Sequence, residues 1–199
     1  MPGIWAILLA AGESSRMGRL KALLPWQGTT LIEFQLRSLL SGGVERIVVV
    51  LGHDSDRLKP IVESVEGASW VLNPDYLQGK TTSLKIGVSA LYDHKVTDLL
   101  LLNVDQPRTA EIVRILLTRH GSSESAITIP TYGGKGGHPI LISAGLLPEM
   151  AVIEEETKGL LAVVRRHAET TDRFEVDDPS VLWDLNTPEQ YEQALASEN

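Results

Sequence analysis

Short apolar runs alternate with amphipathic stretches along the chain, and turn-forming residues separate them. The runs at residues 4–11, 47–51, 69–72, 98–104, 126–130 and 139–142 are the apolar segments. Several are rich in Val, Ile and Leu with no polar alternation, the pattern of strands covered on both faces of a parallel sheet. Between them, residues 31–41, 54–64, 82–92, 110–119, 159–167 and 188–196 follow helical spacing. The last of these has a defined start, with Thr187 as N-cap, Pro188 at the first helical position and Gln190 three residues after the cap. The alternation predicts a three-layer α/β/α domain, Rossmann-like and doubly wound, with a mostly parallel sheet and right-handed crossovers. Ligands of such a sheet collect at the C-terminal ends of its strands. No repeat, low-complexity tract or long linker interrupts the pattern, so residues 1–199 read as a single domain. The acidic run at 154–156 reads as a solvated helix start.

Composition narrows the chemistry. A chain of 199 residues buries enough surface to need no covalent staple. It has no cysteine, which excludes disulfides, zinc–thiolate sites and thiol catalysis. Residues 4–11 are short, lack a basic flank and run into a glycine loop, so they read as a buried strand rather than a signal peptide. No apolar run approaches the roughly 20 residues of a membrane span. A cytoplasmic location without a membrane partner is expected. The net charge of −8 argues against a nucleic-acid surface, which needs clustered Lys and Arg. An anionic small ligand is still compatible, because backbone N–H groups, a few cations and a divalent metal can hold a triphosphate.

The loop after the first strand reads Leu9-Ala10-Ala11-Gly12-Glu13-Ser14-Ser15-Arg16-Met17-Gly18-Arg19-Leu20-Lys21. Small residues leaving a buried strand let a ligand lie against the backbone, and successive N–H groups suit phosphate oxygens. Arg16 and Lys21 add cations. The spacing is not that of a Walker loop, since five residues separate Gly12 from Gly18 and Arg19-Leu20 follows. Nor is it a dinucleotide fingerprint, because Glu13-Ser14 follows Gly12, which makes an NAD-linked oxidoreductase the poorest fit.

Asp105 ends the Leu-rich run. A carboxylate there is costly unless paired, and it suits Mg²⁺ as well as a turn or helix cap. In the segment Asn73-Pro74-Asp75-Tyr76-Leu77-Gln78-Gly79-Lys80-Thr81-Thr82-Ser83, the N–H groups and hydroxyls suit base or ribose recognition, or simple capping. The glycine-rich stretch at 133–137 leads to His138 and suggests a mobile flap. His138 would bind a phosphate or pack at a strand start. His53, His94, His120 and His167 show no metal spacing and read as surface residues.

The run Leu-Ala-Ala-Gly-x-Ser-x-Arg-Met-Gly-x-x-Lys resembles the signature of the MobA-like NTP transferase family, of the nucleotide-diphospho-sugar transferase fold type. The resemblance extends from Ile4 to Tyr191. It implies a Mg²⁺-dependent nucleotidyltransferase that moves NMP onto a phosphorylated acceptor such as molybdopterin and releases pyrophosphate. Leu9, Ala10, Ala11 and Gly12 would wrap the nucleotide, with Arg16 and Lys21 on its phosphates. Asn73, Gly79, Thr82 and Ser83 would contact base and ribose. Asp105 would hold the metal with Asp184 or Asn186 from Asp184-Leu185-Asn186-Thr187-Pro188-Glu189, where Asn186 or Thr187 would otherwise cap the last helix. Gln106 and His138 would face the acceptor. Ala11 resembles the cytidylyl branch, which favours CTP over GTP. Two features depart from that branch: Asn186 stands where a second Asp is usual, and Glu156-Thr157-Lys158-Gly159-Leu160-Leu161 stands where Gly-Asp-x-Gly-Ala-Arg is usual. A sugar-phosphate or polyol-phosphate acceptor is one alternative. A non-catalytic nucleotide-binding factor that serves a molybdoenzyme, or acts with its chaperone, is the other.

Overall fold

A computed structural model describes residues 3–157 and 159–198. Lys158, one of the departing positions, and residues 1, 2 and 199 of the expected domain lie outside them. The main sheet runs in the order β5 (Ala68–Leu72), β4 (Arg46–Leu51), β1 (Gly3–Ala10), β6 (Val96–Asn103), β9 (Ile140–Ser143), β7 (Ile127–Tyr132), β10 (Thr171–Glu175). A two-residue strand β8 (Lys135–Gly136) pairs with β7, and β2 (Pro25–Trp26) with β3 (Thr29–Thr30) forms a separate hairpin. β5, β4, β1 and β6 are mutually parallel, while β9 is antiparallel to both β6 and β7. The sheet is therefore mixed and mostly parallel, as the apolar runs predicted, with two reversed strands, β8 and β9, that hydropathy alone does not distinguish.

Side-chain alternation splits the core in two. Ala6, Leu8 and Ala10 of β1 and Leu100 and Leu102 of β6 face α1 (Leu31–Ser41), α2 (Ser55–Glu63) and α4 (Ala110–Gly121). Ile7, Leu99 and Leu101 face the other way, against α3 (Lys80–Ser89), α5 (Leu147–Met150) and α6 (Leu160–Arg166). Each fully buried Leu or Ile contributes about 1.5–3 kcal/mol relative to exposure, so the two central strands anchor both layers. Gly87 lets α3 approach closely. A Cβ there would meet Ile7 Cγ2 at 2.9 Å and Val50 Cγ2 at 3.0 Å. A third cluster packs Trp26, Leu31, Leu185 and Tyr191 together and joins the hairpin to α7 (Pro188–Glu198). The start of α7 is as the sequence predicts. Gln190 N–H donates to Thr187 Oγ1 at 3.3 Å, and Thr187 N–H donates to Gln190 Oε1 at 3.1 Å.

Two expectations are corrected, and one strand was not anticipated. Residues 154–156 lie in turns before α6 rather than in a helix start. His120 is buried, held between Thr128 Oγ1 at 2.7 Å and Asp98 Oδ1 at 3.1 Å, and His53 and His167 are half-buried. β10 was not legible, because Thr-Asp-Arg-Phe-Glu is a half-exposed edge strand whose polarity hides it. Among the described residues no helix is long and apolar enough to cross a membrane.

Candidate active site

The first loop is tied at its neck. Ser14 sits in the left-handed region at φ 56°, and its hydroxyl accepts the Lys21 N–H at 3.0 Å. Met17 and Leu20 are buried anchors, whereas Gly12, Glu13, Ser15 and Arg16 are exposed. The segment between strand and anchors borders a cavity of about 360 Å³ at the C-terminal ends of β1 and β6. Leu9, Ala10, Ala11, Gly12, Arg16 and Lys21 line one side. Tyr76, Leu77, Gly79, Lys80 and Ser83 line another, and Asn103, Asp105 and Asn186 complete it. At one end the backbone is packed tightly: a Cβ on Gly52 would meet Ala11 O at 2.6 Å and the Tyr76 ring at 2.9 Å.

Lys21 is the centre of the polar cluster. Its ammonium donates to Asp105 Oδ2 at 2.8 Å and to Asn186 Oδ1 at 2.9 Å. The Lys21 and Asp105 side chains are only 11% and 16% exposed, so the pair is weakly screened and each partner offsets the other's desolvation. Removing either leaves a poorly solvated charge. Two hard oxygens thus already converge on a cation beside an open cavity. That donor set fits Mg²⁺, which binds through one or two protein oxygens together with substrate phosphates. Among the described residues no three His, Asp or Glu side chains gather as a closed metal cage.

The turn that carries Asp105 is braced from all sides. Val104 N–H donates to Leu9 O at 2.9 Å and extends the ladder past the strand. Gln106 uses its whole amide internally: Oε1 accepts Asn103 N–H and Nδ2–H at 3.1 and 2.9 Å, and Nε2 donates to Asp184 Oδ1 at 2.6 Å. Fully buried Gln35 of α1 donates to Gln106 O and accepts the Arg108 N–H at 3.2 Å.

Arg108 is 1% exposed and points into carbonyls. It donates to His138 O at 2.8 Å, Pro107 O at 2.7 Å, Val181 O at 2.8 Å and Trp183 O at 3.1 Å. One guanidinium therefore fastens the Asp105 turn to the segments that carry His138 and Asn186. Burial pulls its pKa down to about 9, against the opposing effect of Asp184, Asp178 and Asp105. It is still charged at pH 7. Leu185 N–H adds a direct bond to Asp105 O at 2.8 Å.

A second cavity of about 260 Å³ adjoins the first, and Leu9, Lys80 and Asn103 border both. His138 lines it, with Nδ1 buried and, among the described residues, without a hydrogen-bond partner. Burial, reinforced by the Arg108 charge, pushes the His138 pKa down to about 4, so the ring is neutral at pH 7. Glu155 Oε2 accepts the Thr81 N–H at 3.1 Å and clips the 151–159 segment to the start of α3.

Of the sequence-derived residues, Leu9, Ala10, Ala11, Gly12, Arg16, Lys21, Gly79, Ser83, Asp105 and Asn186 share the first cavity. Asn73, Thr82, Gln106 and Asp184 are not among its lining residues. Asn73 Nδ2 donates to Thr82 Oγ1 at 2.9 Å and Ser83 Oγ at 2.8 Å, while its Oδ1 accepts the Asp75 N–H at 2.9 Å. Its work is to hold the 73–83 turn. Asp184 faces Gln106 and leaves Asn186 as the partner of Asp105 at Lys21. Sequence reasoning missed Lys80, Gln35 and Arg108. Lys80 stood in the 73–83 segment without a role assigned to it, and Arg108 left a trace as an arginine directly after the Gln-Pro turn that closes the most apolar run.

The sequence matches the MobA-like NTP transferase domain over residues 6–171. It is 30% identical to the molybdenum cofactor cytidylyltransferase of Escherichia coli, over 96% of this chain and 95% of that protein. It is also 30% identical to the nicotine blue oxidoreductase of Paenarthrobacter nicotinovorans, over 98% of both. In fold it resembles a Mycobacterium tuberculosis protein solved in complex with manganese, with TM-score 0.79, 23% identity, and 98% of this chain and 99% of that one covered.

Proposed function

The chain belongs to the MobA-like NTP transferase family, and from that premise we propose that it transfers CMP from CTP to a phosphorylated small-molecule acceptor such as molybdopterin, in the cytoplasm and with Mg²⁺. The observation that carries this reading is the Lys21 ammonium held by Asp105 and Asn186 in the cavity bordered by the first loop. The cytidylyltransferase named among its relatives is similar along nearly its whole length. The manganese in the mycobacterial fold relative is a further support for a divalent cation.

In this reading an acceptor phosphate oxygen forms the new bond to the α-phosphorus. The bond from that phosphorus to the bridging oxygen breaks, and pyrophosphate leaves with the electron pair. A phosphate oxygen is already nucleophilic at pH 7, so the protein's task is positioning and charge neutralisation. Backbone N–H groups of the first loop orient the triphosphate. Arg16 and Lys21 neutralise it. Lys21 exchanges Asp105 for a phosphate, which frees Asp105 and Asn186 to hold Mg²⁺. The bound metal would offset charge on the phosphates.

The test is pyrophosphate release from CTP with Mg²⁺ and molybdopterin. Wild type is expected to turn over, and Asp105→Ala to lose about 10²–10³-fold or more. Silence of the wild type overturns the reading, and redox turnover of nicotine blue in its place would shift the chain towards the activity named for the Paenarthrobacter relative.

A further inference from the structure

The two ends of the first cavity differ. Asp105 follows β6, and Lys21 and Asn186 join it there. Gly52 follows β4, on the opposite flank of β1. At the Gly52 end stands Tyr76, the one aromatic among the described residues that line the cavity. Its ring rests on Gly52, where a Cβ would meet the Tyr76 Cγ at 2.9 Å, and its hydroxyl lies 3.4 Å from His53 Nδ1. The turn that carries it is braced. Gln78 Nε2 donates to Asp75 Oδ1 at 2.9 Å, and Thr82 Oγ1 donates to Gly79 O at 2.8 Å. The ring is therefore held in place before any ligand arrives. Nearby hydrogen-bonding groups are largely spent, since Asn73 and Thr82 serve this turn and the Gly79 N–H closes on Tyr76 O at 3.4 Å.

Charge draws a triphosphate to Lys21, and the base at the other end of the same molecule falls to the Gly52 side. Building on the nucleotide half of the transferase reading, we propose that Tyr76 holds the nucleobase by stacking its ring on the base plane. Ring and base cover each other's apolar faces, and a ring already fixed gives up little freedom on binding. Every base has a π-face, so the stack supplies affinity without choosing among bases.

Titration calorimetry with CTP, GTP and inorganic tripolyphosphate, each with Mg²⁺, tests the proposal. Tyr76→Leu is expected to weaken both nucleotides about tenfold or more, while tripolyphosphate stays within about threefold of wild type. Tyr76→Phe keeps the ring and should hold CTP within about threefold. In the wild-type complex the cytosine ring-proton resonances should move upfield, the mark of a base lying over an aromatic ring, and Tyr76→Leu should abolish that shift. CTP affinity that survives Tyr76→Leu overturns the proposal. So does an equal loss of tripolyphosphate, which would make Tyr76 a support of the turn alone, and so does a wild-type complex without the upfield shift. CTP stacked on Tyr76 with no pyrophosphate release to any acceptor would refute the transfer step and leave the stack standing. A wild type that binds tripolyphosphate but no nucleotide overturns both.

Discussion

The cavity beside the first loop and the cavity beside α6 share Lys80 as a border but are built by different means. The first is lined by backbone and by polar side chains whose partners are fixed: Lys21 on Asp105 and Asn186, Ser14 on the Lys21 N–H. The second mixes aliphatic side chains (Leu84, Leu101, Ile153, Leu160 and Leu161) with Thr81, Asn103, His138 and Glu155, and exposed Lys80 stands at its edge. On the proposed transferase reading, the cavity whose polar partners are fixed would hold the nucleotide, and the more aliphatic cavity beside it would meet the acceptor.

The sharpest way to break this contrast is to remove its shared scaffold. Arg108→Met keeps the aliphatic stem but strands the carbonyls of Pro107, His138, Val181 and Trp183. We expect a loss of about 3–5 kcal/mol, read as a lowered urea midpoint, together with loss of nucleotide binding. A variant that folds normally and still binds nucleotide would show that the two halves are held in register by something else.

That brace also explains what was legible in the sequence. Strands and helices were readable because apolar periodicity reports burial directly, and the first loop was readable because its glycines and cations are local. Asn186 entered the site through the family resemblance, whereas the layered sheet, the capping box at Thr187, Lys21 and Asp105 came from such local signals. The reversal of β9, the edge strand β10 and the bracing by Gln35 and Arg108 did not, since each depends on partners far along the chain. The same limit applies to Gln106 and Asn73. Their side chains looked available for a ligand, yet tertiary neighbours consume them.

His138 offers a pH test of the second half. Its pKa moves from the ordinary 6.5 to about 4 in the folded protein, through burial and then the Arg108 charge. Above pH 6.5 neither state carries its proton, and the residue adds no pH dependence. Between 6.5 and 4 the unfolded chain binds a proton that the folded one refuses, so stability falls as pH falls, by at most about 3 kcal/mol. Below 4 this contribution is flat. Urea midpoints measured across that window should show the slope, and His138→Gln should remove it. An unchanged slope would mean that the imidazole is reached by solvent in the folded protein.

Lys21→Ala probes the first half. It removes the cation that neutralises Asp105 now and the triphosphate later, and kcat is expected to fall about 10²-fold. Activity within threefold of wild type would take Lys21 out of the transfer step.

The smallest change refines the contrast within the first cavity itself. Ala11 is 5% exposed, lines the cavity, and its carbonyl accepts the His53 N–H at 3.0 Å. At one end of the cavity its methyl packs against Gly52, where an added Cβ would come within 2.9 Å of it. If the base occupies that end, Ala11→Gly should raise GTP affinity relative to CTP by about tenfold at most, the low end of what one buried methyl controls. Competition binding with the two nucleotides reads the ratio without any acceptor present. A ratio that stays put would mean the base lies towards Leu77 and Lys80 instead, and that preference between bases is set by the border the two cavities share.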